Sequence, residues 1–290
     1  MKTLISTDTS CLINYDVLNK FPISIFPLNV IIDGQEYLDG VNIKQDFLLN
    51  QMLENKSIKT STPPMGEVIK YFEEIFEKGY EYVIHFTISS KLSSMYSLFS
   101  QVSKNYFEEK IKIIDSYSVS TLMLSHVFYA YEEIQKGTNV DVICDEIEKR
   151  KENSYICFIP ENLTALKNGG RISPAIAAIG NAVGLKPVIM LKDGMLEKDS
   201  MTRHANKSFR EHMNIALEKY PISDYDYSLI SFGADEKMLR IVHENMKNAI
   251  GEENIITGII PINVCAHCGP GTIGVVTSPK INGESLKKYL

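Results

Sequence analysis

Between Glu81 and Val102 the hydrophobic pattern changes period, and that change constrains everything around it. Glu81-Tyr-Val-Ile-His-Phe-Thr87 is aromatic and β-branched, which predicts a buried strand. Leu92, Met95, Tyr96, Phe99 and Val102 then recur at helical spacing. The handover from Ile88 to Tyr96 carries Ser89, Ser90, Ser93 and Ser94. At a helix start, unpaired backbone N–H groups and the positive end of the helix dipole favour an anion. Hydroxyls add donors that rotate to suit a small acid group. The competing reading is one capping Ser among solvated neighbours.

A second hydroxyl-rich segment lies some thirty residues earlier, at Lys59-Thr-Ser-Thr-Pro-Pro64. Three hydroxyls followed by two prolines predict another helix start, since Pro is tolerated in the first turn. Val68, Tyr71, Phe72, Ile75 and Phe76 supply its apolar stripe, and Gly79 stops it. Two such ends meeting across parallel strands would form a small-anion site at the carboxyl edge of a sheet.

The rest of the first half alternates strand and helix. Strands are expected at 2–7, 110–115 and 154–159, with helices at 46–54, 119–135 and 140–151. Phe21–Ile32, with two prolines, reads as edge strands leading to a turn at Asp33-Gly34. This order implies a parallel, doubly wound sheet. After Pro160 the texture changes. A short helix at 163–167 precedes Asn168-Gly-Gly-Arg171, and Pro174–Gly184 reads as a helix of small residues. A hairpin about Lys192-Asp-Gly194 follows. Helices are then expected at 205–220 and 236–250, and strands at 226–232, 254–264 and 274–278. The fold expected is therefore α/β, with a doubly wound N-terminal domain at 1–160 and an α+β domain with a mixed sheet at 161–290.

Several function classes fall away. At 290 residues, 44% apolar and 23% charged, the chain has an ordinary soluble composition. A net charge of −6 without a dense Lys/Arg cluster argues against nucleic acid. The N-terminus lacks a signal-peptide core, and the longest membrane candidate, Ala175–Leu185, is too short to span. Cytoplasm is the expected location, with transient membrane contact still compatible. Cys11, Cys144, Cys157, Cys265 and Cys268 are odd in number and scattered, so buried free thiols are expected rather than a disulfide framework. Gly269-Pro-Gly-Thr-Ile-Gly274 matches a dinucleotide fingerprint, but a strand follows it where a helix is required. Its glycines more readily allow backbone to approach a ligand or a neighbouring domain. Cys265-Ala-His-Cys268 lacks a second ligand pair, so neither metal nor cofactor is expected. A serine acyl hydrolase could draw on Ser93 and His267, although no G-x-S-x-G elbow is present. Arg171 and Arg203 sit beside flexible or polar backbone, either solvated or presenting a guanidinium to a phosphate or carboxylate.

These pieces, in their order, resemble the DegV family of fatty-acid-binding proteins. The matching stretches are Thr7–Ser10, Thr60–Pro63, Ile88–Ser93, Ile114–Ser116 and Leu166–Ser173. They continue with Lys186–Val188, Asp193-Gly194, Thr202-Arg203 and His267–Gly271, across essentially the whole chain. The resemblance implies two domains with one long-chain fatty acid between them, its carboxylate held by Ser61 and Ser93 with His267 joined through the network. Thr60, Thr62, Ser94 and Gly271, in the same matching stretches or beside them, are expected to complete the ligand-binding set. The acyl chain would enter an apolar tunnel in the C-terminal domain. The resemblance further implies a non-catalytic subunit that hands the acid to an ATP-dependent fatty-acid kinase for acyl-phosphate formation, with Arg171 and Arg203 implicated in docking. A lipid sensor without a kinase partner is the remaining alternative. Thr62, Ser94 and His204 depart from the common family pattern, which leaves chain-length preference and partner fit open. Burying an acyl chain contributes about 0.8 kcal/mol per CH₂, so roughly fifteen methylenes give about 12 kcal/mol gross. Head-group bonds of about 1–3 kcal/mol each then set position more than affinity.

Overall fold

A computed structural model describes residues 2–108, 110–172 and 184–290. The first half builds a four-stranded, wholly parallel sheet in the order β2-β1-β6-β7, from Thr3–Asp8 (β1), Ile23–Phe26 (β2), Tyr82–Thr87 (β6) and Ile111–Asp115 (β7). Alternate residues of its strands face opposite ways. Leu4 and Val83 pack on Met65–Glu77 (α2) and Met95–Tyr106 (α3), whereas Ile5 and Ile84 pack toward Ser120–Gln135 (α4) and Val140–Lys151 (α5).

A smaller antiparallel sheet has Asn29–Ile32 (β3) at its centre, between Gln35–Leu38 (β4) and Ile58–Ser61 (β5). Of the edge strands expected within 21–32, β2 does lie at the edge of the parallel sheet, whereas β3 is central in its own. Pro22 and Pro27 fall just outside β2 and β3, so β3 keeps the N–H groups it needs to pair on both sides. The helix Gln45–Leu53 (α1) links β4 to β5.

The second sheet is mixed and six-stranded, in the order β10-β9-β8-β13-β11-β12. Its strands are Tyr155–Ile159 (β8), Lys186–Lys192 (β9), Met195–Thr202 (β10), Tyr225–Phe232 (β11), Ile255–Ile259 (β12) and Thr272–Pro279 (β13). Only the β11–β12 pair is parallel. The strand at 155–159, expected in the parallel sheet, pairs with β9 and β13 here, because its ladder partners lie downstream. One face of this sheet packs on Ala205–Lys219 (α7) and Glu236–Ile250 (α8). The other contributes Ile156, Ile230 and Val276 to the cluster that holds α4. The layers thus run helix, sheet, helix, sheet, helix. Being sandwiched, α4 is buried without interruption from Ser120 to Ala130.

Two further differences bear on the site. Residues 262–264, expected to extend a strand, begin the helix Ile262–Cys268 (α9), because Pro261 supplies its N-cap and Gly269 ends it. The helix expected at 174–184 lies, apart from Gly184, outside the described residues. The short helix Thr164–Gly169 (α6) ends in a left-handed Gly170.

Candidate functional site

The serine stretch 88–94 is held from below by two carboxylates. Asp8, fully buried at the end of β1, accepts from the Ile88 and Ser10 N–H groups at 2.8 Å each. Asp115, at the end of β7, accepts from Ser90 N–H at 3.0 Å and Tyr117 N–H at 3.1 Å. Burial pushes the Asp8 carboxyl up to about 6 against those bonds, so the brace is built at an electrostatic cost. The polar run at 7–10 is therefore the footing of the serine stretch.

The serines then divide. Ser89 is buried and donates to the Gly194 carbonyl at 2.8 Å, tying the stretch to the β9–β10 turn. That turn has Asp193 at φ 47° and Gly194 at φ 75°, and a Cβ on Gly194 would stand 2.5 Å from Ser89 Oγ. Ser94 is the N-cap residue of α3, yet its hydroxyl pairs with Thr62 Oγ1 at 2.7 Å instead of capping the helix. Ser93 is half-buried and its Oγ lies within 3.4 Å of the Met95 N–H that it accepts.

The second hydroxyl segment is not a helix start. Thr60 and Ser61 end β5, in register with Val30 and Asn29, and α2 opens only at Met65 behind Pro64. Its prolines do mark the helix, but pairing with β3 carries the strand through the first two hydroxyls. Only α3 offers the helix N-terminus expected twice. The segments still meet, as the Thr62–Ser94 bond shows.

Together they rim a cavity of about 140 Å³ lined by the small antiparallel sheet, the mixed sheet and the segments that follow β6 and β7. Thr60, Ser61, Thr62, Ser93, Arg171 and His267 all line it. Its apolar walls come from Leu28, Ile88, Leu92 and Met95 on one side and Phe158, Leu191, Leu196 and Val276 on the other, so they are not confined to residues after 160. His267, on α9, shares a 2.9 Å hydrogen bond between Nε2 and Thr60 Oγ1. Burial, with the Arg171 charge adding, pushes this imidazole down to about 4. Gly169 admits it, since a Cβ there would stand 2.2 Å from Nδ1. Arg171 spans the halves by donating from Nε to the Leu92 carbonyl at 3.2 Å and from a terminal nitrogen to the Gly169 carbonyl.

Three expected site residues are absent from the cavity lining: Ser94 (joined to it through Thr62), Gly271 and Arg203. The Gly271 N–H donates to the carbonyl of Phe232 at 2.9 Å and that of Gly233 at 3.2 Å. Arg203 is exposed and away from the cavity. The sequence reading also missed lining residues: Asn29, Ser120 and Asn263. Their signal was a lone polar residue in an apolar context, Leu-Asn-Val at 28–30 and Ile-Asn-Val at 262–264. Among the described residues no group of three or more His, Cys, Asp or Glu is placed to hold a metal ion. No described helix is long and apolar enough to cross a membrane. All five cysteines are buried and unbridged.

A parallel sheet, a small antiparallel sheet and a mixed six-stranded sheet, with an apolar, hydroxyl-rimmed cavity lined by the latter two and by the segments after β6 and β7, define the class as a layered α/β protein. The chain belongs to the DegV family: the model described as uncharacterised protein, DegV family, matches residues 2–280. A DegV domain-containing protein of Staphylococcus aureus is 29% identical over 289 residues, covering 96% of this chain and 99% of that protein. The structure of a fatty acid binding DegV family protein from Streptococcus agalactiae superposes with a TM-score of 0.86 at 22% identity, over 97% of this chain and 99% of that one. A stearic acid-binding protein from Eubacterium ventriosum gives 0.84 at 25% identity, over 96% and 98%.

Proposed function

We propose that this chain binds a long-chain fatty acid, with the carboxylate at the rim of the cavity and the tail along its apolar walls. The observation that carries the reading is an apolar cavity whose polar rim is made of hydroxyls, one imidazole and one guanidinium. Ser61 and Ser93 donate to the carboxylate, while Thr60 fixes His267 beside it and the Thr62–Ser94 pair ties the two segments together. Arg171 supplies the compensating charge that hydroxyls lack. The first 160 residues then contribute the head-group hydroxyls, and both halves contribute walls for the tail.

The chain acts as a binding subunit. It presents the acid to an ATP-dependent fatty-acid kinase, and the exposed Arg203 is one basic residue placed to meet that partner. An acyl hydrolase using Ser93 and His267 fits the geometry less well. The imidazole Nε2 is engaged with Thr60, and the Ser93 hydroxyl faces the α3 N-terminus. Organic extraction of the purified protein followed by mass spectrometry is expected to return fatty acid at about one molecule per chain. A lipid-free extract from protein made in bacteria would overturn the reading.

A further inference from the structure

The cavity holds more polarity than a plain fatty acid needs. Besides its rim, three lining residues are almost fully buried and each keeps one side-chain atom without a hydrogen-bond partner among the described residues. These atoms are Asn29 Oδ1, Ser120 Oγ and Asn263 Oδ1, on residues 6%, 1% and 5% exposed. A buried polar group left unpaired is costly, so its retention beside a ligand cavity points to a ligand atom that pairs with it.

The surroundings fix where that atom would be. Asn263 is held rigidly: its N–H donates to Asp39 Oδ2 at 3.3 Å and its Nδ2 donates to Ser10 Oγ at 2.7 Å, leaving the other end of the amide for the cavity. Asn263 lies one helical turn before His267 on α9, and Asn29 is the cross-strand partner of Ser61. Residues so related stand only about 5 Å apart. Both orphaned amides therefore lie one residue-spacing from residues of the proposed carboxylate site. Ser120 approaches from α4 with φ 58°, a left-handed backbone uncommon for Ser and of the kind kept at ligand sites.

We propose, building on the fatty-acid reading, that the preferred ligand is a fatty acid carrying a hydroxyl close to its carboxyl end, with that hydroxyl bonded by Asn263, Asn29 and Ser120. A hydroxyl suits this station because it donates and accepts. It donates its one proton to the Asn263 amide oxygen, whose Nδ2 is committed to Ser10, and accepts from the Ser120 hydroxyl and, with that amide turned, from Asn29 Nδ2. A saturated, unsubstituted chain passes the same three atoms with nothing to offer.

The test compares palmitate with β-hydroxypalmitate by titration calorimetry on delipidated full-length protein. The hydroxy acid is expected to bind about tenfold tighter, since a site built around a hydroxyl penalises the analogue that lacks it. Asn263→Val should erase that preference, weakening the hydroxy acid while palmitate binding improves. Asn29→Val and Ser120→Ala give the same readout should Asn263→Val fail to fold. Ser93→Ala serves as the arm for the underlying reading and should weaken both acids. Equal affinities, or a preference for palmitate, with Ser93→Ala still weakening both, would overturn the hydroxyl proposal alone. If Ser93→Ala weakens neither acid, the carboxylate assignment fails and takes this proposal with it.

Discussion

The two hydroxyl-rich segments at the cavity mouth have similar compositions and are held by different means. Ile88–Ser94 is a loop, and it keeps its shape because Asp8, Asp115 and the Gly194 carbonyl accept its donors at Ile88, Ser90 and Ser89. Thr60–Thr62 ends a strand, and the β3 ladder fixes it without any buried charge. The difference teaches where each segment is vulnerable. A loop braced by a desolvated carboxylate depends on a few bonds, whereas a strand end spreads its support over a ladder.

The largest effect should come from cutting the loop's brace. Asp8→Ala leaves the Ile88 and Ser10 N–H groups buried and unpaired, at about 1–3 kcal/mol each, so a stability loss of about 2–6 kcal/mol is expected in denaturant unfolding. Bound lipid should fall with it. A variant that unfolds like the wild type would break the comparison, since the loop would then hold itself. Next in size is a contrast within the loop. Ser89→Ala orphans the Gly194 carbonyl and should cost about 1–2 kcal/mol of stability. Ser93→Ala should leave the unfolding midpoint near wild type and weaken fatty-acid binding about tenfold. Equal behaviour of the two variants would show that the serines do not divide as their partners indicate.

Much of this was legible in the sequence, and the gaps have physical causes. The parallel sheet announced itself through buried β-branched strands alternating with amphipathic helices, and the β9–β10 hairpin through Asp193-Gly194. Thr60–Ser61 misled because Thr and Ser before two prolines fit a helix start locally. Its assignment to β5 was decided by β3, a partner some thirty residues away. The same limit moved 155–159 into the mixed sheet, whose other strands come later in the chain. Asn29, Ser120 and Asn263 were not singled out because a polar residue declares a site only once its burial and missing partner are known. The placement of Arg171 at the cavity, with Arg203 away from it, likewise needed the tertiary structure.

The smallest effect sharpens the comparison most, because it asks whether the strand segment works through His267. In the empty protein that imidazole is held near 4, below its ordinary value of 6.5, by burial first and Arg171 second. Between those values the unfolded chain binds the proton and the folded one does not, so this residue makes the empty protein less stable as pH falls from about 6.5 to 4. A carboxylate placed beside the ring reverses the preference, since an opposite charge favours the imidazolium. The His267 resonance should therefore titrate at higher pH in the lipid-bound protein, and by linkage affinity should rise as pH drops through that window. Thr60→Val removes the partner of Nε2 at nearly constant volume and should cost about 1 kcal/mol of binding, with the ligand-induced shift of His267 reduced. An imidazole whose titration ignores the ligand would make Thr60 and β5 scaffold only, and leave the carboxylate to the serine loop and Arg171.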